Sequence, residues 1–422
     1  MDEVQDLQIQ IASLLLYQSV FAEEAGQLFL ALLQAIRFSA RDYRHCLTTY
    51  GLWFRAIAAH GQSWEEYLLD RILADENPFS QQCQHQDLDA LPPAVVMAAR
   101  HDLGVLQTIY RYTSDRLGVW VRQATHCPVA PMPRESGVRP PLLPDTDWRE
   151  TLPALVSHYR RHGTGLLARY RALRWHQGQW VGIPHPDPVA FADLVGCEDQ
   201  AQQLRANVEA LLAGYPAQNV LLYGSRGSGK SSLVKALLSA YGDRGLRLLE
   251  IPREELRHLP AMVSQLAERA QKFVLFADDL SFEEDDNDFK SFKVVLEGTL
   301  AAKPTNAILC ATSNRRHLVR ELWGDRPRPQ DSEDLRSWDT LQEKLSFADR
   351  FGLVLTFPSI NAETYGEIIA QLARQRGVRL AGEELRLRAE QWALRYNGRS
   401  GRTARQFVDA LWVAEQQAGA TH

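Results

Sequence analysis

Apolar positions recur at helical spacing through the first third of the chain. Leu14, Leu15, Leu16, Phe21, Leu28, Leu30, Leu32 and Leu33 form one stretch, and Trp64, Tyr67, Leu68, Ile72 and Leu73 a second. A third runs from Leu103 to Trp120. Such spacing buries one face of each helix. Asp75-Glu76-Asn77-Pro78 and Leu91-Pro92-Pro93 interrupt it. The aromatics Tyr43, Tyr50, Trp53, Phe54, Trp64, Tyr67, Tyr110 and Tyr112 read as the core of a bundle. Residues 1–126 are therefore expected to form an all-helical N-terminal domain. Pro128, Pro131, Pro133, Pro140, Pro141 and Pro144 make residues 127–147 a semi-stiff, non-helical linker. Helical periodicity rich in arginine returns between Trp148 and Trp180, which predicts a helical connector over 148–189.

The pattern then changes. Short, continuous apolar runs alternate with helix-like stretches: Asn219–Tyr223, Leu246–Ile251, Phe273–Ala277, Ala307–Ala311 and Leu353–Phe357. Runs of this kind are strands covered on both faces, and their alternation with helices predicts a five-stranded parallel α/β sheet over 190–358. Three further helical stretches, roughly 362–378, 382–396 and 401–418, make 359–422 a small helical appendage.

Composition narrows the function classes. The 422 residues are 45% hydrophobic and 23% charged, which excludes a disordered, collagen-like or rod-like chain. A formal net charge of -5 argues against a generic nucleic-acid coat and leaves nucleic-acid binding open. Five scattered cysteines suit a reducing compartment. The acidic start Met1-Asp2-Glu3-Val4 is unlike a secretory signal, and the longest apolar run, Leu28 to Ile36, is about half a membrane span. A cytoplasmic protein with no membrane span is expected. His85, His158, His162 and His176 do not have metal-ligand spacing.

Gly224-Ser225-Arg226-Gly227-Ser228-Gly229-Lys230-Ser231 matches the phosphate-binding pattern G-x-x-x-x-G-K-[ST], with Ser232 continuing into the helix. A triphosphate needs many donors at close range, and glycines let successive backbone N–H groups converge on it. Lys230, the first lysine of an arginine-rich chain, supplies a compact charge for the β/γ-phosphates. The Ser231 hydroxyl is a candidate Mg²⁺ ligand. An acid is expected at the end of a neighbouring strand, and Phe273–Ala277 is followed by Asp278 and Asp279. Asp278 would hold Mg²⁺, and Asp279 would be the general base toward water. Glu283, in the acidic run Glu283–Asp288, is the alternative base, and the run also reads as a solvated loop.

With these motifs the chain resembles the AAA+ ATPases over about residues 190–420. Phe191–Gln200, containing Val195 and Gly196, resembles the segment that lines the adenine pocket in that family. Ala311-Thr312-Ser313-Asn314-Arg315 resembles sensor 1, which implies that Asn314 touches the γ-phosphate or the attacking water. Ser346–Gly352 resembles the arginine-finger box and implies that Arg350 reaches a neighbouring subunit's nucleotide. Gly398–Arg405 resembles sensor 2, with Arg402 or Arg405 as the sensing arginine. The appendage is then the family's lid. More narrowly, Asp278–Glu283, Thr312–Leu318 and Asp349–Gly352 are similar to a bacterial group of AAA+ ATPases known only as a domain of unknown function. Asp279 stands where most AAA+ motors carry glutamate, and no unfoldase-type pore loop is evident; Phe289, Lys290, Phe292 and Lys293 read as a helix packed on the sheet. Gly324 to Trp338 reads as an insertion.

The resemblance implies a homo-oligomer that binds ATP and Mg²⁺ and hydrolyses ATP to remodel or regulate a protein or protein–nucleic-acid client. Two alternatives stay open. A slow nucleotide-dependent switch would fit the shorter Asp279, and a P-loop phosphotransferase would pass the phosphoryl group to a hydroxyl instead of water.

Overall fold

A computed structural model of the chain describes residues 2–38, 42–112, 114–131, 141–143, 145–280, 296, 304–314, 350–396 and 398–419. These group into two units, Met1–Arg169 and Tyr170–His422. Among the described residues no helix is long and apolar enough to cross a membrane.

The first unit is helical: α1 (Asp2–Ala12), α2 (Glu24–Arg37), α3 (Tyr43–His60), α4 (Trp64–Leu73), α5 (Pro78–Gln82), α6 (Pro93–Arg111), α7 (Ser114–Thr125), α8 (Leu152–His162) and α9 (Gly165–Arg169). Local chemistry sets several starts. The Asp42 side chain accepts from His45 N ahead of α3. Ser63 and Glu66 form a reciprocal capping box at α4, and Asn77, followed by Pro78, caps α5. The apolar stretch from Leu103 to Trp120 is two helices rather than one. Its break lies beside Ser114, whose N–H donates to Glu65 Oε1 at 3.2 Å. Trp53, Trp64 and Trp148 are fully buried, with Phe29 stacked on Trp64 at 4.2 Å between centroids. Buried Asp102 accepts from Leu15 N, Leu16 N and Tyr17 N, capping the short turn Tyr17–Phe21.

The second unit opens with a finding that overturns the helical expectation for its first residues. Ala172–His176 (β1) and Gln179–Gly182 (β2) form an antiparallel hairpin. Its burial alternates along β1, with Leu173 and Trp175 inward, the period-2 pattern of a strand. Five parallel strands follow: β3 (Val220–Gly224), β4 (Leu246–Glu250), β5 (Lys272–Ala277), β6 (Ala307–Ser313) and β7 (Leu353–Phe357). These match the five expected runs. The sheet has seven strands, in the order β2-β1-β4-β5-β6-β3-β7, because β1 pairs parallel with β4 and extends the edge.

Helices α10 (Glu198–Leu212), α11 (Lys230–Tyr241) and α12 (Leu259–Ala267) join the strands. One core holds Leu204, Val208, Leu233, Leu237, Val220 and Leu222 together. A separate core built from Tyr365, Ile369, Leu385, Ala389, Phe407 and Val408 joins α13 (Ala362–Arg376), α14 (Gly382–Arg395) and α15 (Gly401–Gly419) into the lid. The architecture is mixed α/β: a mostly parallel sheet with a small helical appendage, in a chain whose N-terminal region is helical.

Candidate functional site

The site is built where β3 leaves the sheet. Gly224 has φ +145, and a Cβ there would lie 1.9 Å from Phe357 O. Only glycine lets the chain turn out beside β7 at this point. The loop bends back through Gly227 and Gly229 into α11, and Gly401 N donates to Gly227 O at 2.8 Å, tying the start of α15 to the loop. Ser228 Oγ donates to Ser225 O at 2.8 Å.

Lys230, the first residue of α11, is 7% exposed. Its Nζ donates to Gly224 O at 2.9 Å, Ser225 O at 2.7 Å and Asn314 Oδ1 at 3.3 Å. Burial pulls its pKa below the usual lysine range; the Asp279 and Asp278 carboxylates oppose that, and Arg226 adds to it. The next residue, Ser231, donates from Oγ to Asp278 Oδ1 at 2.7 Å.

The carboxylates come from the end of β5. Pairing of Ala277 with Ala311 sets Asp278 beside Thr312. Thr312 Oγ1 donates to Asp278 Oδ1 and accepts from Asp279 N at 2.8 Å. Leu280 N donates to Thr312 O at 2.7 Å, and Ser313 Oγ to Leu280 O at 2.9 Å. Held from both sides, Asp279 takes a left-handed conformation, φ +51, one that non-glycine residues adopt mostly under local constraint. Asn314 Nδ2 donates to Asp279 Oδ1 at 2.5 Å. One connected set therefore runs Lys230–Asn314–Asp279 and Ser231–Asp278–Thr312.

This set opens into a cavity of about 730 Å³. Arg226, Gly227, Ser228, Gly229, Lys230, Ser231, Ser232, Asp278, Asp279 and Asn314 line it, and so do Val195, Arg402 and Arg405. Leu194, Val195 and Cys197 add an apolar wall, with Ile360, Ile368 and Leu372 from the lid side. That wall is drawn together by Gln375 Nε2, which donates to Asp193 Oδ1 at 2.7 Å, and by Gln371 Nε2 on Ala192 O. Lys235 and Asp187, 3.4 Å apart, also line the cavity.

Not every expected residue is there. Gly224 and Ser225 act beneath the loop, through carbonyls that receive Lys230. Gly196 N donates to Glu198 Oε1 at 2.9 Å, away from the lining. Arg350 precedes buried Phe351 at the entry to β7 and does not line the cavity. Glu283 and the acidic run, the Phe289–Lys293 stretch, Arg315–Leu318, the Gly324–Trp338 insertion and Ser346–Asp349 lie outside the described residues. Thr312 is the residue that motif reading passed over. No local sequence signal marks it; its place follows from the pairing of Ala311 with Ala277, which sets its hydroxyl beside Asp278.

No curated protein matches the chain. Among solved structures it is similar to the Thermotoga maritima RuvB Holliday junction branch migration motor. Identity is 17% and the TM-score 0.36, over 53% of this chain and 63% of that one. A variant of that motor with serine in place of alanine gives 16% identity and a TM-score of 0.37, over 53% and 64%. The chain thus covers less than two thirds of the length of the motor it matches. A family described as a protein of unknown function (DUF815) matches residues 168–415, more than half of the chain. The chain belongs to that family.

Proposed function

We propose that the chain is an ATP hydrolase that uses Mg²⁺ and couples turnover to remodelling or regulating a protein or protein–nucleic-acid client. The observation that carries this reading is the connected set Lys230–Asn314–Asp279 and Ser231–Asp278–Thr312 opening into one cavity. Loop N–H groups and the start of α11 receive the phosphates, with Lys230 on the β/γ-oxygens. Asp279 takes the proton of the attacking water, and Asn314 fixes the position of that carboxylate. Arg402 and Arg405 bring lid cations to the phosphates. Val195 and Leu194, with Ile368 and Leu372, give a base an apolar seat.

The donor set suits Mg²⁺. A neutral hydroxyl and a carboxylate oxygen lie 2.7 Å apart, and such sites take few protein ligands and complete the shell with phosphates and water. Among the described residues no cluster of three or more His, Cys, Asp or Glu could hold an ion by itself, which fits a metal arriving with its nucleotide. Bound there by Ser231 and Asp278, Mg²⁺ would offset phosphate charge. Arg350, outside the cavity of its own chain, is assigned to a neighbouring protomer's site in a homo-oligomer.

A slow switch is the second reading, favoured by the short Asp279 carboxylate and its tether to Asn314. Asp279→Asn separates the readings. An ATPase loses phosphate release about 100-fold or more while ATP binding persists. A parent chain that binds ATP yet releases no phosphate above background would rule out hydrolysis.

A further inference from the structure

We infer that the helical unit carries a binding groove for an acidic, partly apolar peptide segment of a partner protein, between α1 and α6. The groove holds about 590 Å³ and is lined by Gln10 and Ser13 at the end of α1, by Met97, Arg100 and His101 of α6, and by Arg149. It belongs to the first unit and does not depend on the nucleotide reading.

The sequence builds it as a stripe. Met97, Arg100, His101, Gly104 and Thr108 follow one another at helical spacing and so share a face of α6. Their neighbours Leu103, Leu106 and Ile109 are fully buried on the other side. Arg149 is brought to the stripe from outside the helix. Its neighbour Trp148 is fully buried, with Trp148 N donating to Gln107 Oε1 at 3.3 Å. A Cβ at Gly104 would lie 2.5 Å from Arg149 Nε, so the guanidinium rests across the helix where a side chain is missing. His101 Nε2 meets Ser13 Oγ at 3.2 Å and joins the two walls.

The lining has three basic side chains and no carboxylate. Among the described residues neither the Arg100 nor the Arg149 guanidinium has an acidic partner; only the Arg149 backbone N–H meets a carboxylate, Asp147 Oδ1 at 3.0 Å. Two guanidiniums on one concave face match carboxylates, which they bind through two parallel hydrogen bonds each. The apolar part of the partner is set by Met97, which lines the groove and is 71% exposed. Apolar side chains left in water beside charge are a mark of a protein contact surface. A nucleic acid is a poorer match. Affinity for phosphate backbones rests on roughly six to ten cationic contacts, and this groove offers two guanidiniums.

The test is fluorescence anisotropy on the full chain, without nucleotide. The probes are fluorescein-labelled 12-residue peptides built from Glu, Asp, Leu and Phe. Peptides of equal length built from Lys and Leu, and a 20-nucleotide single-stranded DNA, serve as comparators. The acidic peptides should bind saturably and the comparators should not. Arg149→Glu and Arg100→Glu should each weaken binding about 10-fold or more, the scale of one charge-assisted pair. Both should leave ATP turnover unchanged. Gly104→Ala is compatible with a helix and displaces Arg149 without removing its charge; it should keep the melting temperature and still weaken the peptide. No saturable binding of the acidic peptides, or binding untouched by all three substitutions, would overturn the assignment. So would DNA binding that the same substitutions abolish.

Discussion

Replacing Lys230 by methionine removes one charge and keeps most of the aliphatic stem, so the two states of the site respond differently. In the free protein the ammonium makes hydrogen bonds to Gly224 O, Ser225 O and Asn314 Oδ1. Burial holds its pKa down, which means the fold opposes the charged form. Losing the bonds and losing that burial cost offset each other, and the free variant should melt within about 1 kcal/mol of the parent. Toward ATP nothing offsets the loss. Two charge-assisted bonds to phosphate oxygens, at about 1.5 kcal/mol or more each, come to about 3 kcal/mol, or over 100-fold in affinity. At an ATP concentration of about 100 Kd the parent gains about 2.7 kcal/mol. At about 2–4 °C per kcal/mol for a unit of this size, its melting temperature rises by about 5–11 °C. At the same concentration the variant sits near or below its own Kd, gains about 0.4 kcal/mol and shifts by less than about 2 °C. Scanning fluorimetry with and without ATP and Mg²⁺ reads both numbers. An equal ATP shift in both proteins would refute the placement of phosphate at Lys230. A collapse of the free variant's melting temperature would refute the compensation argument.

Three further outcomes are expected. Thr312→Val removes the hydroxyl that holds Asp278 Oδ1 and Asp279 N; it should cost about 1–3 kcal/mol in denaturant unfolding and lower phosphate release more than ATP affinity. Gly224→Ala sets a Cβ 1.9 Å from Phe357 O at φ +145 and should cost about 3 kcal/mol or more, seen as loss of the cooperative melt of the α/β unit. Burial, with neighbouring His162 adding to it, pushes the His158 pKa from 6.5 down to about 4. A lowered histidine pKa gives stability that is full above about 6.5 and is lost as pH falls through about 4, about 3 kcal/mol in all. The difference between urea curves of the parent and of His158→Gln across that range isolates this group.

Much of the α/β unit was legible in the sequence because its strands are buried on both faces. Val220–Leu222 and Phe273–Ala277 therefore read as unbroken apolar runs. The loop was legible because its glycines and lysine have fixed spacing. The hairpin β1–β2 was not. Its turn is Gln177-Gly178, with φ +49 and +85; it lacks the Asn-Gly or Asp-Gly that marks such turns, and it lies among arginines that read as helical. The break between α6 and α7 was hidden for a different reason. It has no glycine or proline, and the carboxylate meeting Ser114 N belongs to distant Glu65. Thr312 shows the limit of motif reading at the site itself. Its role follows from the register of β5 against β6, which no local pattern records. Arg149 is the same lesson in the helical unit, because its place depends on an absent side chain at Gly104.

The most direct test of the central claim is phosphate release from ATP per protomer, measured against protein concentration with Mg²⁺ present, for the parent and for Arg350→Ala. The account predicts a parent rate that climbs with concentration and saturates as protomers complete one another's sites. It predicts that Arg350→Ala still binds ATP but loses about 10³-fold or more in rate. A parent rate at background at every concentration would contradict hydrolysis, and full activity in Arg350→Ala would contradict the shared site.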